Sequence, residues 1–122
     1  MSKIVVLVET RKHKALEFIL TNITTVLPDE WKIQIFHGLD NFLYIQNIVE
    51  KNPLFKNRTI FTNLNIKSVS QEDSSQIMLS KDFWEKVKGE TILYLECDSM
   101  LCLNSKYSVD DFIHFDYIGG YW

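Results

Sequence analysis

The chain has 122 residues, which is enough for one domain with a single hydrophobic core but short for a complete enzyme that binds two substrates. Its composition, 46% hydrophobic and 24% charged residues, is that of an ordinary globular protein and excludes wholesale disorder and a collagen-like fibre. The formal net charge of -3, with both signs interspersed, leaves no basic stripe for a phosphate backbone, so nucleic acid is excluded as an expected partner.

Three features of the sequence predict a cytoplasmic protein without a membrane span. Charged residues interrupt the stretch from Met1 to Glu9 too early for a signal peptide. No apolar run approaches the ~20 residues that cross a bilayer. Cys97 and Cys102 lie in apolar sequence and are expected to be buried thiols in a reducing compartment, since one C-x-x-x-x-C pair is poor spacing for zinc.

Strand and helix alternate in the first part of the chain. Ile4 to Val8 is an apolar run rich in β-branched residues, which predicts a strand buried on both faces of a sheet. The apolar residues that follow are spaced by three and four, which predicts an amphipathic helix closed by Pro28. These residues are Leu16, Ile19, Leu20, Ile23 and Leu27.

The same pair of elements is then repeated. Trp31 to Phe36 predicts a second strand, which ends at His37-Gly38. Asp40 or Asn41 is expected to cap the next helix, which Asn52-Pro53 ends. The apolar residues of that helix are Phe42, Ile45, Ile48 and Val49.

The following stretch is predicted to contain a strand, a loop and a short helix. Thr59 to Thr62 predicts a third strand, and Asn63 to Gln76 is polar and rich in serine, which predicts a loop without core residues. A helix is expected over Lys81 to Lys88, with Ser80 as its N-cap and Gly89 in the left-handed conformation that often ends a helix.

Thr91 to Leu95, the second strongly apolar run, predicts a fourth strand. This alternation predicts an α/β fold of the Rossmann-like class, a largely parallel sheet flanked by helices, in one domain over residues 1–122. Ligands of such sheets bind beyond the carboxyl ends of the strands, where the loops converge. Three of these ends are polar: Glu9, Thr10 and Arg11 follow the first strand, His37 and Gly38 the second, and Glu96, Asp98 and Ser99 the fourth.

The group after the fourth strand is chemically the most suggestive. Side chains two apart on a strand share a face, so Glu96 and Asp98 are expected to point together while Cys97 points away. A divalent cation such as Mg²⁺ or Mn²⁺ would relieve the repulsion between the carboxylates and could bridge to a diphosphate. Ser99 and Arg11 could donate hydrogen bonds to phosphate or sugar oxygens. Solvated carboxylates without a metal are the alternative, and the sequence has no glycine-rich phosphate-binding motif.

Several blocks of the sequence resemble domain-of-unknown-function family 5672 (DUF5672), which is regarded as glycosyltransferase-like with a GT-A architecture. The resemblance runs nearly from end to end. The blocks that carry it are Val8 to Arg11, Ala15 to Phe18, Gln34 to Gly38, Leu79 to Glu85, Ile92 to Cys102, and Asp116 to Gly119 with Trp122.

The resemblance implies the nucleotide-sugar-binding half of a GT-A-like glycosyltransferase, which transfers a sugar to an unknown acceptor with the help of Mn²⁺ or Mg²⁺. Asp98 would bind the metal or the diphosphate. Glu96 would be the weaker second ligand, because members of the family often lack an acid there. The other residues that the resemblance implies at the donor are Glu9, Thr10 and Arg11, near the nucleotide, and His37, near the base or ribose.

The residues leave alternatives open for His37 and for the acidic residues near the C-terminus. His37 could instead serve to hydrogen-bond a loop. The acidic residues near the C-terminus, Asp110 and Asp111, are expected to be structural, since Ser108 precedes them at capping-box spacing. Asp116 stays a candidate because the resemblance includes it.

The resemblance also implies an acceptor-binding half beyond Trp122, which this sequence does not contain. We therefore expect an exposed apolar patch where that half would dock, and a second copy or a separate acceptor-binding subunit as its cover. Two readings compete with an enzyme. One is a non-catalytic nucleotide- or sugar-nucleotide-binding domain, which includes a truncated and inactive glycosyltransferase, and the other is a flavodoxin-like interaction module without a ligand.

Overall fold

The computed structural model describes residues 2–67 and 76–119. Four strands form one sheet there: β1 (Lys3–Glu9), β2 (Trp31–His37), β3 (Thr59–Asn63) and β4 (Thr91–Leu95). The strand order is β3-β2-β1-β4, and each neighbouring pair is parallel. The predicted α/β fold with a parallel, Rossmann-like sheet is confirmed.

Helices cover both faces of this sheet. Three of them, α1 (Leu16–Val26), α2 (Phe42–Glu50) and α3 (Pro53–Lys56), contribute to a core cluster with Val5 and Leu7 of β1. The short helix α4 (Lys81–Glu85) packs its Phe83 against Ile4 and Val6, whose side chains leave β1 on the opposite face. Because β1 is covered on both faces and lies between β2 and β4, its central residues Ile4 to Leu7 are buried, as its unbroken apolar run predicts.

The amphipathic helix α1 is held by its apolar stripe. Leu16, Ile19, Leu20 and Ile23 are fully buried, at the spacing that places them on one side of the helix. Each such side chain contributes about 1.5–3 kcal/mol relative to an exposed one. The predicted helix, with its end before Pro28, is confirmed.

A buried arginine, Arg58, binds the connection between α1 and the start of β2. Arg58 donates to the backbone carbonyl oxygens of Trp31 at 2.9 Å and Pro28 at 2.8 Å, and more weakly to that of Leu27. The carbonyls just after α1 have no partner within the helix, so the guanidinium supplies the missing donors. Burial lowers the pKa of Arg58, and the nearby carboxylate of Asp29 opposes that shift.

The helical boundaries differ from the prediction at two places. The residues after α2 continue into α3 because the Asn52 side chain accepts a hydrogen bond from the backbone N–H of Leu54 and Pro53 occupies the first helical position. Helix α4 ends at Glu85, three residues before the predicted Lys88. Its first residue follows Ser80, whose side chain makes no capping hydrogen bond.

Gly89 was expected to adopt a left-handed conformation, and that prediction is wrong. No glycine in residues 2–67 and 76–119 has a positive φ. A side chain at this position would instead overlap with β1, since an added Cβ would lie 2.8 Å from the Cβ of Ile4. The glycine is needed because the chain passes close to a packed strand on its way into β4.

The loop after β3 was expected to hold no core residues, and Leu64 corrects this. Its side chain packs against the core cluster of Ile4, Val6, Phe36 and Phe83, and its backbone N–H donates to the carbonyl of His37 at 2.9 Å. Most of the predicted loop, residues 68–75, lies outside the described residues.

The segment after β4 returns across the α1 face. Leu101, Val109 and Ile113 pack there against the core. Asn22 of α1 binds both backbone groups of Leu101, with its Oδ1 accepting at 2.6 Å and its Nδ2 donating at 2.9 Å. The segment is therefore attached to the first layer of helices and does not extend freely.

Asp110 and Asp111 of this segment are structural, as predicted. The carboxylate of Asp111 accepts from the backbone N–H of Ser108 at 2.8 Å and starts a 3-10 helix, Val109–Phe112, in a capping box. Asp110 pairs with Lys3 at 2.7 Å.

None of the helices in the described ranges has the length and apolar character that crossing a bilayer requires.

Candidate functional site

The strand order places a topological switch point between β1 and β4. From β1 the chain proceeds to β2 and β3 on one side, and β4 is then added on the other side of β1. At such a point the loops diverge above and below the sheet and leave a crevice, where open parallel sheets bind ligands. We call the residues that flank it the β1/β4 crevice: Glu9 to Arg11 at the end of β1, and Glu96 to Ser99 after β4.

Glu9 is the buried anchor of this crevice. Its side chain is 5% exposed and accepts from the backbone N–H of Arg11 at 3.0 Å and from Arg11 Nε at 3.2 Å. The Arg11 side chain is 62% exposed, so its guanidinium reaches solvent while Glu9 binds the backbone N–H and the Nε of the same residue. This hydrogen bond is the main cause of the raised pKa of Arg11, followed by the charge of Glu9.

Cys97 brings the end of β4 against the same carboxylate. Burial raises the pKa of the Cys97 thiol to about 12, and the charge of Glu9 and a hydrogen bond to Glu9 add to that effect. Tyr94, the last but one residue of β4, also has its pKa raised to about 12, by burial and then by the charges of Glu96, Cys97 and Glu9. The predicted convergence of the first and fourth strand ends is therefore present.

Glu96 and Asp98 are both exposed while Cys97 is buried, as predicted, but not for the predicted reason. Strand β4 ends at Leu95, so strand alternation no longer applies to them. They belong to a turn in which the backbone N–H of Ser99 donates to the carbonyl of Glu96 at 2.9 Å. Among the described residues neither carboxylate takes part in a hydrogen bond or ion pair.

The balance of charge in the crevice is acidic. Three carboxylates, Glu9, Glu96 and Asp98, stand against the single guanidinium of Arg11, and Asp98 contributes to the raised pKa of Arg11. A phosphate approaching this crevice alone would be repelled, whereas a cation would be attracted. In residues 2–67 and 76–119 there is no group of three or more His, Cys, Asp or Glu side chains that could enclose a metal. A cation held here would take part of its coordination from water or from its ligand.

Thr10 and His37 lie beneath the surface and not at it. Both residues are 5% exposed. The Nδ1 atom of His37 is 2.8 Å from the carbonyl oxygen of Gly38, and its ring packs against Phe42 at 4.7 Å between centroids. These contacts are those of the alternative in which His37 supports a loop.

Asn41 is a residue whose role the sequence did not reveal. Its position suggested a helix cap, but its side chain makes no capping hydrogen bond to α2. Instead Nδ2 donates to the carbonyl oxygens of Glu9 at 2.8 Å and Arg11 at 2.9 Å, and Oδ1 accepts from the N–H of Gly38 at 2.8 Å. A single buried amide thus joins the loops after β1 and β2.

An open depression of about 490 Å³ lies at the start of α2, apart from the crevice. It is formed by the loop after β1 and by the first turns of that helix, including Lys12, Leu39, Asp40, Phe42 and Leu43. None of the residues predicted to form the site lines it. The converging strand ends, and not this depression, therefore define the candidate site.

Comparison with known proteins finds a family match for only one of the two segments that flank the crevice. Residues 55–122 match the family described as protein of unknown function (DUF5672), and this match includes β4 with the Glu96 to Ser99 turn. It does not extend to β1 and β2, so the resemblance expected from end to end is confirmed for residues 55–122 alone. No curated protein and no solved structure matches the chain significantly. Because the match covers more than half of its residues, the chain belongs to the DUF5672 family.

Proposed function

We propose that the chain is the donor-binding part of a metal-assisted glycosyltransferase, which binds a nucleotide sugar in the β1/β4 crevice and transfers the sugar to an acceptor of unknown chemistry. One observation carries the proposal. The carboxylates of Glu96 and Asp98, which have no partner among the described residues, lie across the switch point of a parallel sheet from the exposed guanidinium of Arg11. A nucleotide sugar matches this set, because its diphosphate can bind both a cation and a guanidinium.

The residues fit a divalent metal in one particular mode. Mg²⁺, and Mn²⁺ with similar ligand preferences, is usually held by one or two carboxylates together with water and substrate phosphates. Asp98 is the proposed metal ligand and Glu96 the second, since both are exposed and uncommitted to partners among the described residues. Such an ion supplies neutralisation of the charge on a leaving nucleoside diphosphate.

The chain's own residues divide the remaining tasks. Arg11 donates to the diphosphate, while Glu9 fixes the guanidinium through its Nε. Ser99, half-buried in the turn after β4, donates to a phosphate or sugar oxygen. His37 and Thr10 support the crevice from below, since both are buried. Cys97 and Cys102 are free thiols, which is consistent with the expected cytoplasmic setting.

A calorimetric titration with UDP, with and without Mn²⁺, tests this proposal. We expect Mn²⁺-dependent binding that Asp98→Asn weakens by at least about tenfold, equivalent to about 1.4 kcal/mol, and that Glu96→Gln weakens less. Glu30→Gln is the matched control, because this exposed carboxylate precedes β2 at the opposite edge of the sheet and pairs with Lys3. It should leave the affinity unchanged.

Two results would contradict the proposal. The first is no binding of UDP, GDP, CDP or ADP under any metal condition, and the second is equal loss from Asp98→Asn and Glu30→Gln. Equal losses from Asp98→Asn and Glu96→Gln would contradict only the ranking of the two ligands.

A non-catalytic nucleotide-binding domain is the second candidate, and the state of Glu9 favours it. This buried carboxylate of the crevice is committed to Arg11 and Cys97, so it is not free to act as a base. Hydrolysis of a UDP-sugar by the chain alone would favour an enzyme, and binding without turnover would favour the second candidate. In that case the acceptor half of the reaction would come from a second copy of the chain or from a separate acceptor-binding subunit.

A further inference from the structure

The buried side chain of Asn41 is fully used by backbone groups near the crevice. It is 1% exposed, and both of its N–H donors and its carbonyl oxygen are engaged, with Glu9, Arg11 and Gly38 as partners at 2.8–2.9 Å. The bonds to Glu9 and Arg11 hold the last carbonyl of β1 and one carbonyl of the loop after it to one amide. The loop that presents Arg11 is therefore attached to the start of α2 and not only to its own strand.

The loops around Asn41 leave little room for adjustment. A side chain added at Gly38 would meet the carbonyl oxygen of Ile66 at 2.8 Å and the Cβ of Thr10 at 3.2 Å. The backbone N–H of Leu39 also donates to that carbonyl of Ile66 at 2.8 Å. The turns after β1, β2 and β3 thus form one packed layer, in which Asn41 is a central hydrogen-bonding residue.

We propose that Asn41 is a positioning residue of the crevice: it fixes the backbone of the Arg11 loop so that the guanidinium is presented to the diphosphate of the ligand. The carboxylate of Glu9 binds the side chain of Arg11, and the amide of Asn41 binds the backbone carbonyl of Arg11. An ordinary capping role does not account for this arrangement, because the side chain makes no capping hydrogen bond to α2. The inference rests on the proposed function.

Asn41→Asp is the sharpest test, because it keeps the size and the acceptor for Gly38 but replaces the donor to Glu9 and Arg11 by an oxygen. We expect Mn²⁺-dependent affinity for UDP to fall by about tenfold, which corresponds to about 1.4 kcal/mol. In an Arg11→Ala background the same substitution should have almost no further effect, because the two residues act as one unit. A merely structural residue would weaken binding equally in both backgrounds.

The control is Asn52→Ala, since the side chain of Asn52 also bonds to the backbone, through one hydrogen bond at α3 and away from the crevice. It should lower the melting temperature without changing the affinity for UDP. Unchanged affinity in a folded Asn41→Asp, or additive losses with Arg11→Ala, overturns the inference while the proposed function stands. Absence of binding of all four nucleotides, UDP, GDP, CDP and ADP, by the unaltered chain overturns the proposed function and this role together.

A second measurement applies if Asn41→Asp and the smaller Asn41→Ala do not fold. Amide hydrogen exchange of the unaltered chain reports the bond from Gly38 to Asn41 directly. We expect UDP with Mn²⁺ to slow exchange of the Gly38 and Arg11 amides by at least about threefold, because the bound ligand makes local opening of these loops rarer. Bound ligand without added protection at these two amides overturns the inference.

Discussion

Glu9 is a charged group that the protein buries and compensates internally. Removing a carboxylate from water is costly unless nearby donors replace its hydration. Arg11 supplies a backbone and a side-chain donor, and the Cys97 thiol adds another. Burial, and then the charge of the same carboxylate, disfavours ionisation of Cys97 and raises the pKa of its thiol from 9.0 to about 12.

The raised pKa values of Cys97 and Tyr94 predict a loss of stability in alkaline solution. In the unfolded chain these groups ionise near their ordinary pKa values of 9.0 and 10.0, whereas in the folded protein both values are about 12. Above about pH 9 the unfolded state therefore binds fewer protons than the folded state, and the free energy of unfolding falls as the pH rises towards 12. Thermal unfolding measured across this range should show it.

Single substitutions separate the two contributions. Cys97→Ala and Tyr94→Phe should each make the melting temperature less dependent on pH between 9 and 12. Cys102→Ser should not, because Cys102 is exposed. A slope that Cys102→Ser reduces as much as Cys97→Ala does would count against a buried, neutral Cys97 thiol. The exposed Cys102 also corrects the expectation of two buried thiols.

At the scale of elements, close passage between β1 and the turn before β4 decides the identity of residue 89. Gly89 follows α4 by only a few residues, and Ile4 lies directly in the space that a side chain would occupy. Strand β4 pairs with β1 from Thr91 onwards, so the turn cannot move away without disturbing that register. Contact between elements, and not local backbone conformation, requires the glycine.

This distinction is testable with two substitutions at Gly89. Gly89→Ala should lower the free energy of unfolding by about 1–3 kcal/mol through overlap with Ile4, and Gly89→Asn should cost at least as much. A left-handed glycine would show the opposite order, because asparagine tolerates that conformation better than alanine. Urea denaturation of both variants beside Glu90→Ala, the neighbouring control, decides between these reasons.

At the scale of the whole molecule, one amide joins the last part of the described chain to the first helix. Asn22 binds both backbone groups of Leu101, and Lys3 pairs with Asp110 further along. These contacts span most of the sequence, and they set the course of the chain just after the Glu96 to Ser99 turn. Several large apolar side chains of this segment remain exposed: Met100, Leu103, Tyr107, Phe115, Tyr117 and Ile118.

Asn22→Ala should release this segment. Leaving the N–H and carbonyl of Leu101 without their partner costs about 1–3 kcal/mol. We also expect faster cleavage by a protease between Met100 and Tyr107 at a concentration that leaves the unaltered chain intact. Gln46→Ala is the control, because that amide makes a single exposed contact, with Glu50. Equal cleavage of the two variants would show that Asn22 does not hold the segment.

The sequence by itself determined the elements and their class. Long apolar runs such as Ile4 to Val8 and the three-four spacing from Leu16 to Leu27 depend on local chemistry, and the strands and the main helix they predict are present. Helix ends were less predictable. The start of α3, for example, depends on one hydrogen bond that the Asn52 side chain accepts.

Tertiary structure alone decided which of the polar strand ends lie together in the candidate site. The sequence indicated Glu9, Arg11 and Asp98 as candidates, but it could not place β4 beside β1, and strand order is what creates the crevice. It also could not reveal that His37 and Thr10 are covered, or that Asn41 binds loops instead of capping a helix. Periodicity records which face of an element is buried, whereas these roles depend on which distant backbone groups lie within hydrogen-bonding distance.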